Sequence, residues 1–547
     1  MTDNEAVNVP RLKQFRLSVK VMAVFLFFLA YLVAGILSYK DYGFSTDEGI
    51  QRNHGLVSAR YLADTFNLPQ AETGLLSDKE DLETYEHKFY GVAFHIPLLI
   101  GERVVGVHHE SAEMWEFRHV CTFLFFYIGV IFLYLTLMYR FKDWRLALLG
   151  CVMMVLSPRI FAESFYNIKD TTFLAAFTIA LYFASRFLIE KKVWLGVFAA
   201  LSIGFAINIR ILAVIIPIVV LGMITIELFK SKQRKSIVVK SLLFIILTLF
   251  CTYLFWPAAW NSPINTFVDA FLLMSKYERW NGHIIYMGEI IRGAEVPWHY
   301  IPVWIAVTTP IVYLLLFGVG VLQKGYNIVR DCISGKIFKR DSMLDILFLI
   351  LLFGPVIAVI VFNSTLYGGW RHLYFIYGLI IIFAVSGFKW IFTTFQSLFQ
   401  QKQLWSVASK GAVLFLIFAT FAHSIFWMTA NHPYQFVYFN QLAGDPANDF
   451  DRDYWRVSAR DALRFITKND SREHIYIEDS GFIRPNAFML SSEERQRLKF
   501  ISPEEDGVEA HYKIIDYRLV QGNYEGENEI YSIEVDGFKI MSVIALE

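Results

Sequence analysis

The chain has 547 residues, 55% of them hydrophobic and only 18% charged, with 50 Lys+Arg against 50 Asp+Glu. That balance excludes a disordered chain and a basic nucleic-acid binder, and one soluble core cannot absorb so much apolar mass. The apolar residues gather in blocks of about 20, the length a helix needs to cross a bilayer's hydrocarbon, which predicts a polytopic α-helical membrane protein.

Residues 1–19 read as a short cytoplasmic N-terminus whose bases Arg11, Lys13 and Arg16, with Lys20, precede the apolar block Val21–Ser38. This block is long for a signal sequence, and Tyr39-Lys40-Asp41 offers no small-residue cleavage site, so it is expected to stay as an anchor. Eleven spans are predicted, at 20–39, 116–139, 146–162, 171–189, 193–208, 211–229, 240–257, 300–322, 344–362, 372–392 and 409–429. Counted from a cytoplasmic N-terminus, the short basic loops around Arg140/Lys142/Arg145, Lys191/Lys192, Lys230–Lys235, Lys324–Arg340 and Lys402/Lys410 all fall inside. Phe89–Val107 would invert every later loop if it crossed, and it holds His95, Pro97, Glu102 and Arg103. It is therefore placed as juxtamembrane helices within the outer loop 40–115. A second long outer loop, 258–299, is rich in aromatics.

After Thr429 the composition changes: from residue 430 to 547 acids outnumber bases 22 to 13. This predicts a small extracytoplasmic α/β domain, 430–547, behind a membrane domain spanning 20–429. Its pattern gives a helix Val457–Lys468, strands His474–Glu478, Leu498–Ile501 and His511–Tyr517, and a hairpin pairing Ile530–Val535 with Phe538–Ala545 across Asp536-Gly537. The four cysteines suggest neither a disulfide framework nor a Cys-based zinc site. There is no internal repeat and no Gly-rich phosphate loop.

The sharpest chemical signal is Asp47-Glu48, just past the first span. Asp170 is a second outer acid, at the start of a later span. Taken singly, each reads most simply as helix-capping chemistry. Single cations recur where spans emerge on the same side: Lys88, Arg118, Lys169, Arg210 and Arg371. Such charges at apolar span ends are costly unless paired, and together with the acids they suit a leaving phosphate. Departing phosphate needs positive charge, while an attacking hydroxyl needs only one base. Trp256, Trp260, Trp280, Trp298 and Tyr300 could stack on sugars or an isoprenoid chain, although an interfacial belt explains most such residues. His283 and His299 lack ligand spacing and read as structural.

Several of these segments resemble the GT-C superfamily of membrane glycosyltransferases, in the branch that includes protein O-mannosyltransferases and the lipid A aminoarabinose transferase. Asp47-Glu48 resembles the acidic pair after that family's first helix. Tyr85-Glu-His-Lys88 resembles the start of its juxtamembrane helices, though without the Pro-Pro pair many members carry. Arg118, Ser157-Pro-Arg159 through Asp170, Gly204 through Arg210, and Trp370-Arg371-His372-Leu-Tyr374 are similar to later motifs in the same order. His432 through Asn440 and Asp453-Tyr-Trp455 resemble a pattern after the last helix of bacterial members.

The resemblance implies inverting transfer of a hexosyl or pentosyl group from a polyprenyl-phosphate sugar to a hydroxyl or amine of a glycan, lipid or protein acceptor. It places this on the extracytoplasmic side of a bacterial inner membrane. Asp47 is then the expected base, Glu48 and Asp170 support it, and Lys88, Arg118, Lys169, Arg210 and Arg371 hold the donor phosphate. A Mg²⁺ or Mn²⁺ ion among the carboxylates is left open. The alternative is a transporter or flippase of a lipid-linked saccharide, which would place ionisable residues near mid-membrane.

Overall fold

The computed structural model describes residues 10–69, 74–230, 232–275, 280–398, 403–478, 481–502 and 507–546; residues 1–9 of the predicted N-terminal segment lie outside these. Among the described residues nine helices are long and apolar enough to cross a membrane: Val19–Ser38, Ala112–Phe141, Asp170–Glu190, Ile211–Leu228, Arg234–Leu254, Ile311–Ile333, Arg340–Val361, Arg371–Phe395 and Val407–Ala430. A tenth forms if the bent pair Trp144–Val155 and Pro158–Tyr166 is one span.

The eleven expected spans are thus nine or ten, and the differences have local causes. Helices Trp144–Val155 and Pro158–Tyr166 meet at 70° because Pro158 pushes Ser157 out of the helical region, to φ −93 and ψ 102. Pro310 does the same to the expected span 300–322. Tyr300–Thr308 stops at an extended Thr309, and the spanning helix is Ile311–Ile333. Val193–Ile207 has only 15 residues, roughly 22 Å at 1.5 Å per residue, too short for about 30 Å of hydrocarbon. The chain nevertheless runs back along Asp170–Glu190 over this helix, since Arg210 just beyond it meets Asp170, and its small-residue face packs on Arg234–Leu254, where a Cβ on Gly204 would lie 2.6 Å from that of Cys251.

Between the first two spans lie helices Glu48–Thr65 and His95–Val105. The second has 11 residues and is amphipathic. It buries His95, Leu98 and Glu102 and exposes Ile100, Val104 and Val105, as an interfacial helix should.

The C-terminal part holds a helix, Ala459–Asn469, and a mixed sheet. A separate hairpin in the aromatic loop pairs β1 (His283–Tyr286) with β2 (Glu289–Arg292). The five-stranded sheet comprises β3 (Ile475–Glu478), β4 (Leu498–Ile501), β5 (Tyr512–Asp516), β6 (Glu529–Val535) and β7 (Phe538–Ala545), in the order β4-β3-β5-β7-β6. β3 runs parallel to β4 and β5, while β7 is antiparallel to β5 and β6. Val535 pairs with Phe538 across Asp536-Gly537, both at positive φ, as a tight two-residue hairpin turn requires.

This part does not stand apart from the membrane helices. Asn440 donates to the carbonyls of Ala306 (2.7 Å) and Thr309 (2.6 Å), satisfying groups that the break at Pro310 frees. Phe439 and Phe450 stack together and pack on Trp304. The turn after the first span is clamped from the same side. Arg460 donates to the carbonyls of Lys40 (2.7 Å) and Tyr42 (3.1 Å), and buried Asn486 bonds both Phe44 N (2.9 Å) and Phe44 O (3.1 Å). Gly43 is required there: a Cβ would come within 2.1 Å of the Val457 carbonyl.

Candidate active site

At the ends of the spans nearest this clamp, four chain-distant charges meet. Asp47 precedes helix Glu48–Thr65 but makes no side-chain cap bond. Its carboxylate instead accepts from Arg371 Nη1 at 3.1 Å, and the same nitrogen donates to Asp170 Oδ2 at 3.1 Å. Arg210 donates to the other Asp170 oxygen. Nor does Asp170 cap its helix. The capping is done by Asn167, whose Oδ1 accepts from Asp170 N at 2.8 Å and whose Nδ2 donates to Glu163 Oε2 at 2.7 Å. Tyr374 OH holds the other Glu163 oxygen at 2.7 Å.

Burial divides the two acids. The Asp170 side chain is 0% exposed and spent on the two arginines and on Asn167 Nδ2, whereas that of Asp47 is 26% exposed. Only Asp47 can meet a substrate from solvent. Arg371, 3% exposed, is compensated by two carboxylates and by the faces of Tyr367 (4.8 Å), Tyr454 (5.0 Å) and Trp455 (4.7 Å). Gly368 and Gly369, at φ 63 and 70, turn the chain tightly into Arg371, and a Cβ on Gly368 would press the Tyr454 ring at 3.0 Å.

Lys169, next to Asp170, lies 3.9 Å over the Tyr90 ring. Burial, then the neighbouring Arg210 charge, push its ammonium down to about 7. The cluster sets two carboxylates against two arginines and Lys169, so protonation of Lys169 leaves a surplus that favours an incoming anion.

Other expected site residues lie elsewhere. Glu48 is fully buried and accepts from Ser45 N (2.7 Å) and pairs with His119 Nε2 (3.0 Å), linking its helix to the second span. Arg118 is also fully buried and bonds Glu102, which Arg52 holds from its other side at 2.8 Å. Lys88 donates to the Glu83 carbonyl. Of the aromatics, Trp280 stacks at 4.0 Å on Tyr367, itself against Arg371. Trp256 packs with Ile211 beside Arg210, Trp260 lies near Tyr61, buried Tyr300 packs on Tyr286, and Trp298 is 69% exposed. His299 bonds the Tyr286 hydroxyl at 2.6 Å.

The guanidinium of Arg371 occupies the place between Asp47 and Asp170 that a shared cation would take. No group of three or more His, Cys, Asp or Glu side chains placed to hold a metal occurs among the described residues. The carboxylates as arranged therefore do not fit a divalent ion.

The C-terminal part contributes what single-residue reasoning missed. Tyr454 OH lies 3.4 Å from Arg371 Nη2, and Arg518 lies over both Tyr454 (5.5 Å) and Trp280 (6.0 Å). Only the Asp453-Tyr-Trp455 pattern hinted at this, and nothing marks Arg518.

Residues 111–256 match the family model described as dolichyl-phosphate-mannose-protein mannosyltransferase. No curated protein matches the chain. Among solved structures it is similar to the archaeal oligosaccharyltransferase AglB from Archaeoglobus fulgidus, solved with an inhibitory peptide and a dolichol-phosphate. Identity is 12% and the TM-score 0.50, over 90% of this chain and 65% of that one. The chain thus spans about two thirds of that enzyme's length. It is also similar to ArnT from Cupriavidus metallidurans bound to undecaprenyl phosphate, at 12% identity and a TM-score of 0.44, over 95% of this chain and 97% of that one. The GT-C-like fold expected from the motifs is the fold observed.

Proposed function

We propose that the protein is an inverting glycosyltransferase that moves a sugar from a polyprenyl-phosphate donor to an acceptor hydroxyl or amine at the membrane surface. The observation that carries this is one solvent-reaching carboxylate, Asp47, held 3.1 Å from a buried arginine beside Arg210 and Lys169. The matched family model and the fold shared with a dolichol-phosphate-bound enzyme support the reading.

Asp47 takes the acceptor's proton as its oxygen or nitrogen attacks the anomeric carbon. The bond from that carbon to the phosphate oxygen breaks on the opposite face, inverting the centre. Polyprenyl phosphate leaves as an anion, its charge met by Arg210, Lys169 and the second face of Arg371, so that no general acid is needed. Asp170 is a positioning residue that sets both arginines. The sequence shows no internal repeat of the kind alternating access uses, and the clustered charges sit at span ends rather than mid-membrane, which disfavours a flippase. The positive-inside pattern of the short loops supports an extracytoplasmic site and a cytoplasmic N-terminus, and the resemblance after the last helix supports a bacterial inner membrane. Whether the group is a hexose or a pentose turns on the donor that accumulates.

The test is lipid mass spectrometry on a null strain complemented with wild type or Asp47→Asn. One polyprenyl-phosphate sugar should build up in the null and Asn strains alone. Its absence, with a larger lipid-linked saccharide retained on the inner leaflet, would overturn transfer in favour of transport.

A further inference from the structure

The membrane face opposite the charge cluster carries a second built feature. A cavity of about 370 Å³ is lined by Arg140, Lys142, Lys339, Arg340 and Lys389, with Asp341 as its one carboxylate, and by Phe141. Three spans meet there: Ala112–Phe141 ends at it, Arg340–Val361 begins at it, and Arg371–Phe395 brings Lys389 to it. Arg371 and Lys389 are 18 residues apart on the last of these, roughly 27 Å along a helix. The cavity and the proposed active site therefore lie at opposite boundaries of the bilayer.

The floor is rigid. Arg140, 6% exposed, is gripped by Asp345 through two bonds of 2.8 and 2.7 Å and reaches Asp341 at 3.3 Å. Arg340 is spent on Asp341 at 2.9 Å. The rim is different. Lys142 and Lys389 have no carboxylate within ion-pair reach among the described residues, and Lys339 touches only Asp331, at 3.9 Å. Three exposed ammonium groups thus face a concave space whose own acid is already paired. Trp390, 43% exposed, follows Lys389 and marks headgroup depth, since Trp concentrates at the membrane interface.

We propose that this cavity binds the phosphodiester headgroup of an anionic phospholipid from the leaflet opposite the active site. The chemistry recognised is a phosphate anion, and the interfacial depth selects the lipid as its source over free phosphate. Lys142, Lys339 and Lys389 supply the charge, and Arg140 and Arg340 form the ordered base against which the phosphate rests. Basic recesses between helices at a cytoplasmic boundary suit such headgroups. The inference is independent of the transfer chemistry.

Native mass spectrometry of the delipidated full chain, titrated with phosphatidylglycerol or phosphatidylcholine, tests it. Wild type should retain phosphatidylglycerol selectively. The triple variant Lys142→Gln/Lys339→Gln/Lys389→Gln should bind it roughly a hundredfold more weakly, from three lost surface charges. Its melting temperature should change little, because beyond the Lys389 ammonium over the Phe141 ring and the long Lys339–Asp331 pair these exposed side chains have no described partner. Lys232→Gln/Lys235→Gln, basic but outside the cavity, should bind as wild type. Unchanged binding in the triple variant, or equal loss in the control, would overturn the site in favour of a diffuse basic surface. Full displacement of the lipid by inorganic phosphate would overturn the headgroup assignment and leave a free-anion site.

Discussion

Replacing Asn486 with alanine isolates the clamp on the turn that presents Asp47. Asn486 is 1% exposed and makes three bonds, from Phe44 N at 2.9 Å and to the carbonyls of Phe44 and Arg456 at 3.1 Å each. Alanine leaves three buried backbone groups unpaired. At about 1 kcal/mol net for each, the docked turn loses roughly 3 kcal/mol, or about 150-fold in its equilibrium with an undocked form. Asp47 lies one residue beyond Thr46, whose N donates to the Trp455 carbonyl at 3.3 Å, so undocking carries the carboxylate away from Arg371. Single-turnover transfer from a lipid-linked donor should fall about 10- to 100-fold, while donor binding, set by Arg210 and Lys169, changes little. Asn486→Asp keeps one acceptor and should lie between. Near-wild-type turnover in a folded Asn486→Ala protein would refute the claim that the C-terminal part holds the catalytic turn.

Arg371→Met leaves buried Asp170 with Arg210 as its one bonded arginine, so a loss of about 3–5 kcal/mol is expected, read as a lowered melting temperature together with abolished transfer. Lys169 is charged below about 7 in the anion-free site. A bound phosphate favours its ammonium, so donor affinity should be flat below that pH and fall by up to about tenfold per unit above it. Lys169→Arg, which does not titrate, should flatten that slope in a binding titration. Asp451 is pushed up to about 7 by burial, with one oxygen bonded to Ile285 N and the other unpartnered. A raised carboxyl destabilises the folded chain as pH climbs from the usual carboxylate range to about 7. Asp451→Asn should therefore melt with wild type at low pH and above it beyond about 7. Chelation should leave transfer unchanged, because Arg371 already fills the space between the carboxylates; loss of turnover rescued by added Mg²⁺ would contradict this.

The spans were legible because bilayer thickness imposes a length on apolar runs, and the closing hairpin because Asp536-Gly537 demands its turn. Two prolines break that rule. Pro158 and Pro310 sit inside runs whose hydropathy is continuous, so a window average passes over a bend that backbone sterics impose. The chemistry was legible in part. Asp47, Asp170, Arg210 and Arg371 were flagged by charge at span ends, and these are the four that meet. Arg118 and Glu48 carried the same signal, yet their partners Glu102 and His119 are too far along the chain for spacing to reveal a pairing. Asp47 and Asp170 also read as helix caps, and only coordinates show Asn167 doing that work. Arg518 lies in a charged, unremarkable segment, and its approach to Tyr454 depends wholly on the tertiary fold.

The clamp also sets an order of events during synthesis. Tyr42 bonds Gln435 across 393 residues, and Phe44 bonds Asn486 across 442. Ser45 and Glu48 of the turn carrying Asp47 find Tyr166 and His119 within the next span or two, yet Gln435, Trp455, Arg460 and Asn486, which complete the clamp, follow it by some four hundred residues. Contacts this far apart in sequence form late, since the intervening loop must close first. A ribosome-bound chain thus carries its base without the C-terminal half of its clamp until residues beyond 486 have emerged. Premature termination upstream of residue 486 should therefore yield a weakened transferase rather than an unregulated one.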